Sequence, residues 1–222
     1  MAASVGGPDP GLVKALFPSK YSTIYRYVDL LATEAVERGL LGPQEASRLW
    51  GRHIFNCAVI RDLFTESSSL CDVGSGAGLP GVVLALARPD LAVVLLEPLL
   101  RRAAFLHEVV GLLSLRNVEV VRARAEDQVG QCAFDYVTAR AVAPLERLAR
   151  WALPLCRAGG ELVAIKGSTA AAELNQSAAV VAALGGRRAR IEEYGVGVVS
   201  PLTTVIRIES GEPQGLRGKG MS

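Results

Sequence analysis

The strongest chemical signal in the chain is a ten-residue stretch, Asp72-Val73-Gly74-Ser75-Gly76-Ala77-Gly78-Leu79-Pro80-Gly81. It follows the apolar run Leu70 to Val73 and precedes the helix-forming run Val82 to Ala87. At the carboxyl end of a strand, glycines allow a sharp turn and close backbone approach to a ligand, and the following helix presents unpaired N–H groups. A cofactor loop is the expectation, with Gly74 and Gly76 against the ligand. Gly76-x-Gly78-x-x-Gly81 also fits a dinucleotide fingerprint, with Glu97 at a distance suited to ribose hydroxyls, so the glycines alone leave two cofactors open. Asp72 tilts the choice, because a carboxylate there repels a pyrophosphate and attracts a cationic sulfonium and its ammonium group. S-Adenosylmethionine fits better than a nicotinamide dinucleotide. A capping role for Asp72 on the loop's own N–H groups is the competing reading.

Other candidates fall at the ends of later β-prone runs. Glu97 closes the run Leu91 to Leu96 and is expected to hold ribose hydroxyls. Ala125 and Glu126 follow the third run, with Glu126 suited to an adenine amino group and Ala125 to a small wall or backbone contact. Arg140 follows the fourth, either beside both ligands in a positioning role or as a structural partner of Asp135 or Asp72. All lie along the edge where open α/β sheets bind ligands. Cys57, Cys71, Cys132 and Cys156 show no two-residue spacing, and the only histidines are His53 and His107, so neither a metal site nor a disulfide is expected.

The elements that must position these residues read in two parts. Residues 11–65 show helix-spaced apolar positions, Ile24, Val28, Leu31 and Ala35, then Ile54, Ala58, Val59 and Leu63, and predict three or four helices. From 66 to 209, β-prone runs alternate with helical ones. Strands are predicted at Leu70–Val73, Ala92–Leu96, Val118–Val121, Phe134–Thr138 and Leu162–Ile165, and helices at Val82–Ala87, Arg101–Leu113, Leu145–Leu155 and Ala170–Leu184. Such alternation specifies right-handed βαβ units and a mostly parallel sheet. Arg188–Tyr194 and Thr203–Ile208 are joined by a loop too short for a helix, so they should close the sheet as an antiparallel hairpin. That ending is more typical of Rossmann-like methyltransferases than of dehydrogenases. Residues 1–10 and 210–222 are expected to be disordered.

Composition narrows the class. The 222 residues are 50% hydrophobic and 21% charged, which excludes collagen-like, coiled-coil and disordered chains. No apolar run approaches the roughly 18 residues of a membrane span, and Met1–Pro10 does not resemble a secretory signal, so a cytoplasmic protein is expected. The net charge of +2 conceals a central surplus, with 10 basic against 7 acidic residues in 101–166. A polyanion partner is compatible with that surplus. Arg124, Arg140, Lys166 and Arg207 are the expected basic rim for RNA, because each lies near a strand end or in the closing hairpin.

Arg52-His53-Ile54, the Asp72–Gly81 loop, Glu97 with Arg101-Arg102-Ala103-Ala104-Phe105-Leu106, Ala125-Glu126, Phe134-Asp135 leading to Arg140-Ala141-Val142-Ala143, and Ile165-Lys166-Gly167 together resemble the bacterial RsmG family, also called glucose-inhibited division protein B. The resemblance runs from about Tyr21 to Ile208. It implies an S-adenosylmethionine-dependent enzyme that methylates guanine N7 in small-subunit (16S) ribosomal RNA, with helices preceding a Rossmann-like core. Gly74, Leu79, Ala125, Glu126 and Arg140 match the family's cofactor-contacting positions. Ribosomal RNA or the small ribosomal subunit is the implied partner of what should be a monomer with no metal. One departure stands out: the family often continues Arg-His-Ile with Asp-Ser after one residue, whereas this chain has Asn56 and Cys57. A role there that needs a carboxylate is lost, and a hydrogen-bonding or packing role for Asn56 is kept. Competing functions are a Rossmann methyltransferase of another substrate, a nicotinamide-linked oxidoreductase, for which the chain lacks a substrate domain, and a ribosomal RNA-binding factor without turnover.

Overall fold

Leu70, Cys71 and Val73 are buried, as in a strand covered on both faces, and they lie in an interior strand of the sheet. The computed structural model describes residues 7–211. Its sheet comprises β1 (Ser69–Val73), β2 (Ala92–Leu96), β3 (Val118–Val121), β4 (Phe134–Arg140), β5 (Cys156–Lys166), β6 (Gly186–Tyr194) and β7 (Thr203–Ser210), in the order β3-β2-β1-β4-β5-β7-β6. The first five strands run parallel, and β7 is antiparallel to both β5 and β6. This is the expected Rossmann-like α/β sheet with its closing antiparallel pair. The strand order reverses between β1 and β4, which opens a crevice at their carboxyl ends.

The helices are α1 (Pro10–Leu16), α2 (Tyr21–Ala32), α3 (Glu34–Glu37), α4 (Asn56–Ala58), α5 (Gly81–Ala87), α6 (Leu100–Leu112), α7 (Ala125–Gln128), α8 (Leu145–Ala152) and α9 (Ala170–Ala183). Every residue of α5 is buried, because the helix lies between the sheet and the N-terminal helices. One core joins Ile24, Tyr27 and Leu31 of α2 to α5, Val163 and Val205, and a second, on the other face, joins α8 to Val137, Leu162 and Ile206. Neighbouring residues such as Leu162 and Val163 thus serve opposite faces, as strand periodicity requires. The N-terminal helices therefore share a core with the sheet.

Boundaries differ from expectation where packing overrides local preference. β5 begins at Cys156, six residues before Leu162, and β6 begins at Gly186. The helix expected to reach Leu155 ends at Ala152 and tightens into a 3-10 turn containing Pro154. Beyond α3 the chain forms a 3-10 turn, Pro43–Arg48, and a widened π-type helical stretch, Leu49–Phe55. Asp9 and Pro10, expected to be disordered, instead cap and open α1, with the Asp9 carboxylate accepting from Gly11 and Leu12 N–H. Ser210 is the last residue of β7. Of the two expected disordered ends, residues 1–6 and 212–222 lie outside the described residues. Among those described, no helix is long and apolar enough to cross a membrane.

Candidate active site

At the crevice the glycine loop folds back on its own sheet. Gly74 adopts φ +70°, a conformation open to glycine at little cost, and a Cβ there would lie 3.0 Å from Val142. Five of the loop's amides are already paired: Gly74 and Ser75 N–H donate to Leu96 O, Gly76 N–H to Glu97 Oε2 at 2.9 Å, and Gly78 and Leu79 N–H to Ser75 O. The first amide of α5, Gly81 N–H, donates to Asp72 Oδ2 at 2.9 Å. A pyrophosphate would need these donors, and it would also face the buried Glu97 carboxylate. The dinucleotide reading fails on this geometry.

Asp72 is wholly buried and does not line the crevice, so the capping role is the one it fills. Burial outweighs its bond to Gly81 and the charge of Arg140, raising its pKa to about 7. Its Oδ1 has no hydrogen-bond partner among the described residues. Glu97 is also buried, but at the end of β2 it forms part of the cavity wall, bracing Gly76 with one oxygen and accepting from Leu99 N–H at 3.0 Å with the other. From behind, the buried Tyr27 of α2 donates to Ala77 O at 2.8 Å and ties the N-terminal helices to the loop.

The cavity so formed has a volume of about 700 Å³, within the range of small-molecule sites. Gly74, Gly76, Leu79, Glu97, Ala125, Glu126 and Arg140, the seven candidate cofactor residues, all line it, and so does Arg124. A cationic amino-acid head, a ribose and an adenine suit a wall that combines a glycine turn, one buried carboxylate and the small Ala125. Sequence reasoning missed Leu40 and Leu41, which reach the cavity from the segment after α3, and Arg102, Arg147 and Trp151. The Arg147 guanidinium lies over the Trp151 ring, 4.6 Å from its centroid.

A second cavity, of about 1210 Å³, lies on the other side of the segment Arg140-Ala141-Val142, which lines both. Ala141 adopts φ 55°, rare for a residue with a Cβ, at the point where the chain leaves β4 to form this wall. Arg140 pairs with neither Asp135 nor Asp72. Its Nη2 meets His53 Nδ1, and its Nη1 donates to Arg52 O at 3.2 Å and lies 3.7 Å from Cys57 Sγ. Asn56 keeps a hydrogen-bonding role: its Nδ2 donates to Gly51 O and Arg52 O, and its Oδ1 accepts from Thr203 at the start of β7. Cys57 is buried, and burial pushes its thiol up to about 11.

The expected basic rim divides. Arg124 is exposed at the first cavity. Lys166 lines the second, but its side chain is only 9% exposed and Nζ donates to Ala143 O at 2.7 Å and to Glu173 Oε2 at 2.8 Å. Its charge is spent inside the protein. Arg207 lines neither cavity and is ion-paired to Glu161 and Glu192, since it sits three residues along β7 from Thr204, the partner of Lys166.

Residues 20–197 match the family described as GidB: rRNA small subunit methyltransferase G. The chain belongs to the GidB family. Relatives include the ribosomal RNA small subunit methyltransferase G of Streptomyces coelicolor, 53% identical over 95% of this chain and 89% of that one, and that of Salinispora arenicola, 54% identical over 90% and 87%. In fold the chain is similar to a putative O-methyltransferase from Klebsiella pneumoniae (TM-score 0.57, 17% identity, 91% of this chain and 96% of that one) and to cofactor-bound Rv0187 from MTB (TM-score 0.57, 18% identity, 93% and 100%). As a member of the GidB family it is an S-adenosylmethionine-dependent methyltransferase.

Proposed function

We propose that this enzyme methylates N7 of a guanine in small-subunit ribosomal RNA, with the cofactor in the first cavity and the target base in the second. The wall shared by the two cavities, Arg140-Ala141-Val142, is the observation that carries this reading. Gly74, Gly76, Leu79 and Glu97 hold the methionine and ribose portions, Ala125 and Glu126 hold the adenine, and Arg140 touches both ligands. The bound cofactor supplies an electrophilic methyl group on a cationic sulfur.

The groups at the wall favour an acceptor that needs no deprotonation. The Arg140 guanidinium has N–H donors and no acceptor, His53 already directs a ring nitrogen at Arg140, and Ala141 and Val142 carry no base. Guanine N7 has a lone pair and no proton, so the protein's task is to align it with the methyl group and to exclude water. Arg124, with Arg102 and Arg147 at the same cavity, supplies the phosphate contacts. The enzyme acts as a monomer in the cytoplasm, where small-subunit RNA is made. Incubation with labelled S-adenosylmethionine and unmodified small subunits, followed by strand scission at N7-methylguanine, tests the proposal. Label at a single guanine is the expected result; label on protein, on another base, or nowhere contradicts it.

A further inference from the structure

We propose that Glu45 and His53 are positioning residues that hold Arg140 in the wall between the two cavities, and that protonation of His53 releases it. The inference rests on the reading of that wall as the place of methyl transfer. It begins with a contact between residues 87 apart in sequence: Arg140 Nη2 against His53 Nδ1. The other ring nitrogen, Nε2, lies 2.6 Å from Glu45 Oε2, and His53 is only 6% exposed. Three residues from three different segments thus form one chain ending at the wall.

The chemistry of the three groups fixes their protons. A guanidinium has five N–H donors and no acceptor, so Nδ1 must present its lone pair to Arg140. The single imidazole proton then sits on Nε2 and is donated to the Glu45 carboxylate. Arg52 Nε lies 3.6 Å from the same carboxylate oxygen and helps to anchor it. The remaining donors of Arg140 are partly held by Arg52 O, which leaves the guanidinium little freedom to swing away from the cavities.

Protonating Nδ1 would set an N–H against an N–H and one positive charge against another, so the contact holds only for neutral His53. The charged and titratable groups facing His53 are Glu45, Arg52 and Arg140, with Cys57 and Asp72 beyond Arg140. Burial, then the Arg140 charge, lower the His53 pKa from its usual 6.5, with Glu45 opposing and Arg52 adding. Activity should therefore be complete above that lowered value and fall as the pH drops through it.

Two readouts test the arrangement. In a His107→Gln background His53 is the only histidine, and 15N NMR should show an unprotonated Nδ1 and a protonated Nε2, titrating below 6.5. Arg140→Ala should raise that titration point. In single-turnover methylation, His53→Ala should lose roughly 10- to 100-fold through misplacement of Arg140. His53→Asn presents a non-titrating acceptor near the Nδ1 position, so it should recover part of the rate and lose the acid limb. Glu45→Gln should move the limb to lower pH. The proposal is overturned by the opposite tautomer, by a titration indifferent to Arg140→Ala, or by an acid limb unchanged in His53→Asn. If the parent methylates no RNA, the proposed function fails, and the NMR result still decides the Glu45–His53–Arg140 arrangement.

Discussion

Replacing Glu97 probes the link between the loop and the cofactor. Both carboxylate oxygens accept backbone N–H groups, from Gly76 at 2.9 Å and Leu99 at 3.0 Å. Each is a charge-assisted bond worth about 1.5–3 kcal/mol. Glu97→Gln is therefore not a neutral exchange, because its NH2 group turns a donor toward one of those amides and about one bond is lost. Glu97→Ala loses both. In the cofactor-free protein, water in the 700 Å³ cavity re-pairs part of what is lost, so unfolding free energy should fall by about 1–3 kcal/mol for alanine, below the full sum. On the proposed placement of the cofactor, the ligand would occupy that space in the complex, and its ribose hydroxyls would lose their acceptor as well. Cofactor Kd should rise roughly tenfold for Gln and hundredfold for Ala. Titration calorimetry with S-adenosylhomocysteine, beside urea unfolding of the same samples, measures both quantities. Affinities within about twofold of the parent for both variants would refute the reasoning.

Asp72 should make stability depend on pH. Its folded pKa of about 7 lies above the unfolded value near 3.9, so its contribution is complete below about pH 4 and is lost as pH rises through about 7, a span of at most about 4 kcal/mol. Asp72→Asn should remove that slope, as urea unfolding at pH 5 and pH 8 would register. Lys166→Met leaves Glu173 without its ion-pair partner and should cost about 3 kcal/mol of stability while leaving the salt slope of RNA binding unchanged. Arg124→Ala should do the reverse, reducing the log-log salt slope by about 0.7–0.9 with little change in melting temperature.

That the candidate cofactor residues share one cavity was legible because their signals are local. A glycine loop at a strand end, a carboxylate closing the next strand and the ends of two further strands all meet wherever parallel strands pair in order, so Gly74, Glu97, Ala125 and Arg140 needed no long-range contact to be found. The Glu45–His53–Arg140 chain was not legible. It depends on an irregular helical stretch, Leu49–Phe55, meeting the end of β4, and nothing at Glu45 marks that encounter. Lys166 and Arg207 were misjudged for a related reason: their positions along the strands were readable, but their partners Glu173, Glu161 and Glu192 were not. The early start of β5 was hidden by Gly159-Gly160, which reads as a turn. Gly160 nonetheless lies in β5, where glycine is required because a Cβ would come within 2.6 Å of Asp135 O on β4.

On the proposed reading, a guanine N7 lone pair attacks the cofactor methyl group directly, beside the segment Arg140-Ala141-Val142 that lines both cavities. The most direct test of that reading replaces the attacking atom. Small-subunit ribosomal RNA transcribed with 7-deazaguanosine and reconstituted into subunits carries a C–H in place of N7. Unchanged binding to the enzyme and no label transferred from S-adenosylmethionine are expected, beside full labelling of the unsubstituted subunits. Label transferred equally to both would contradict that reading.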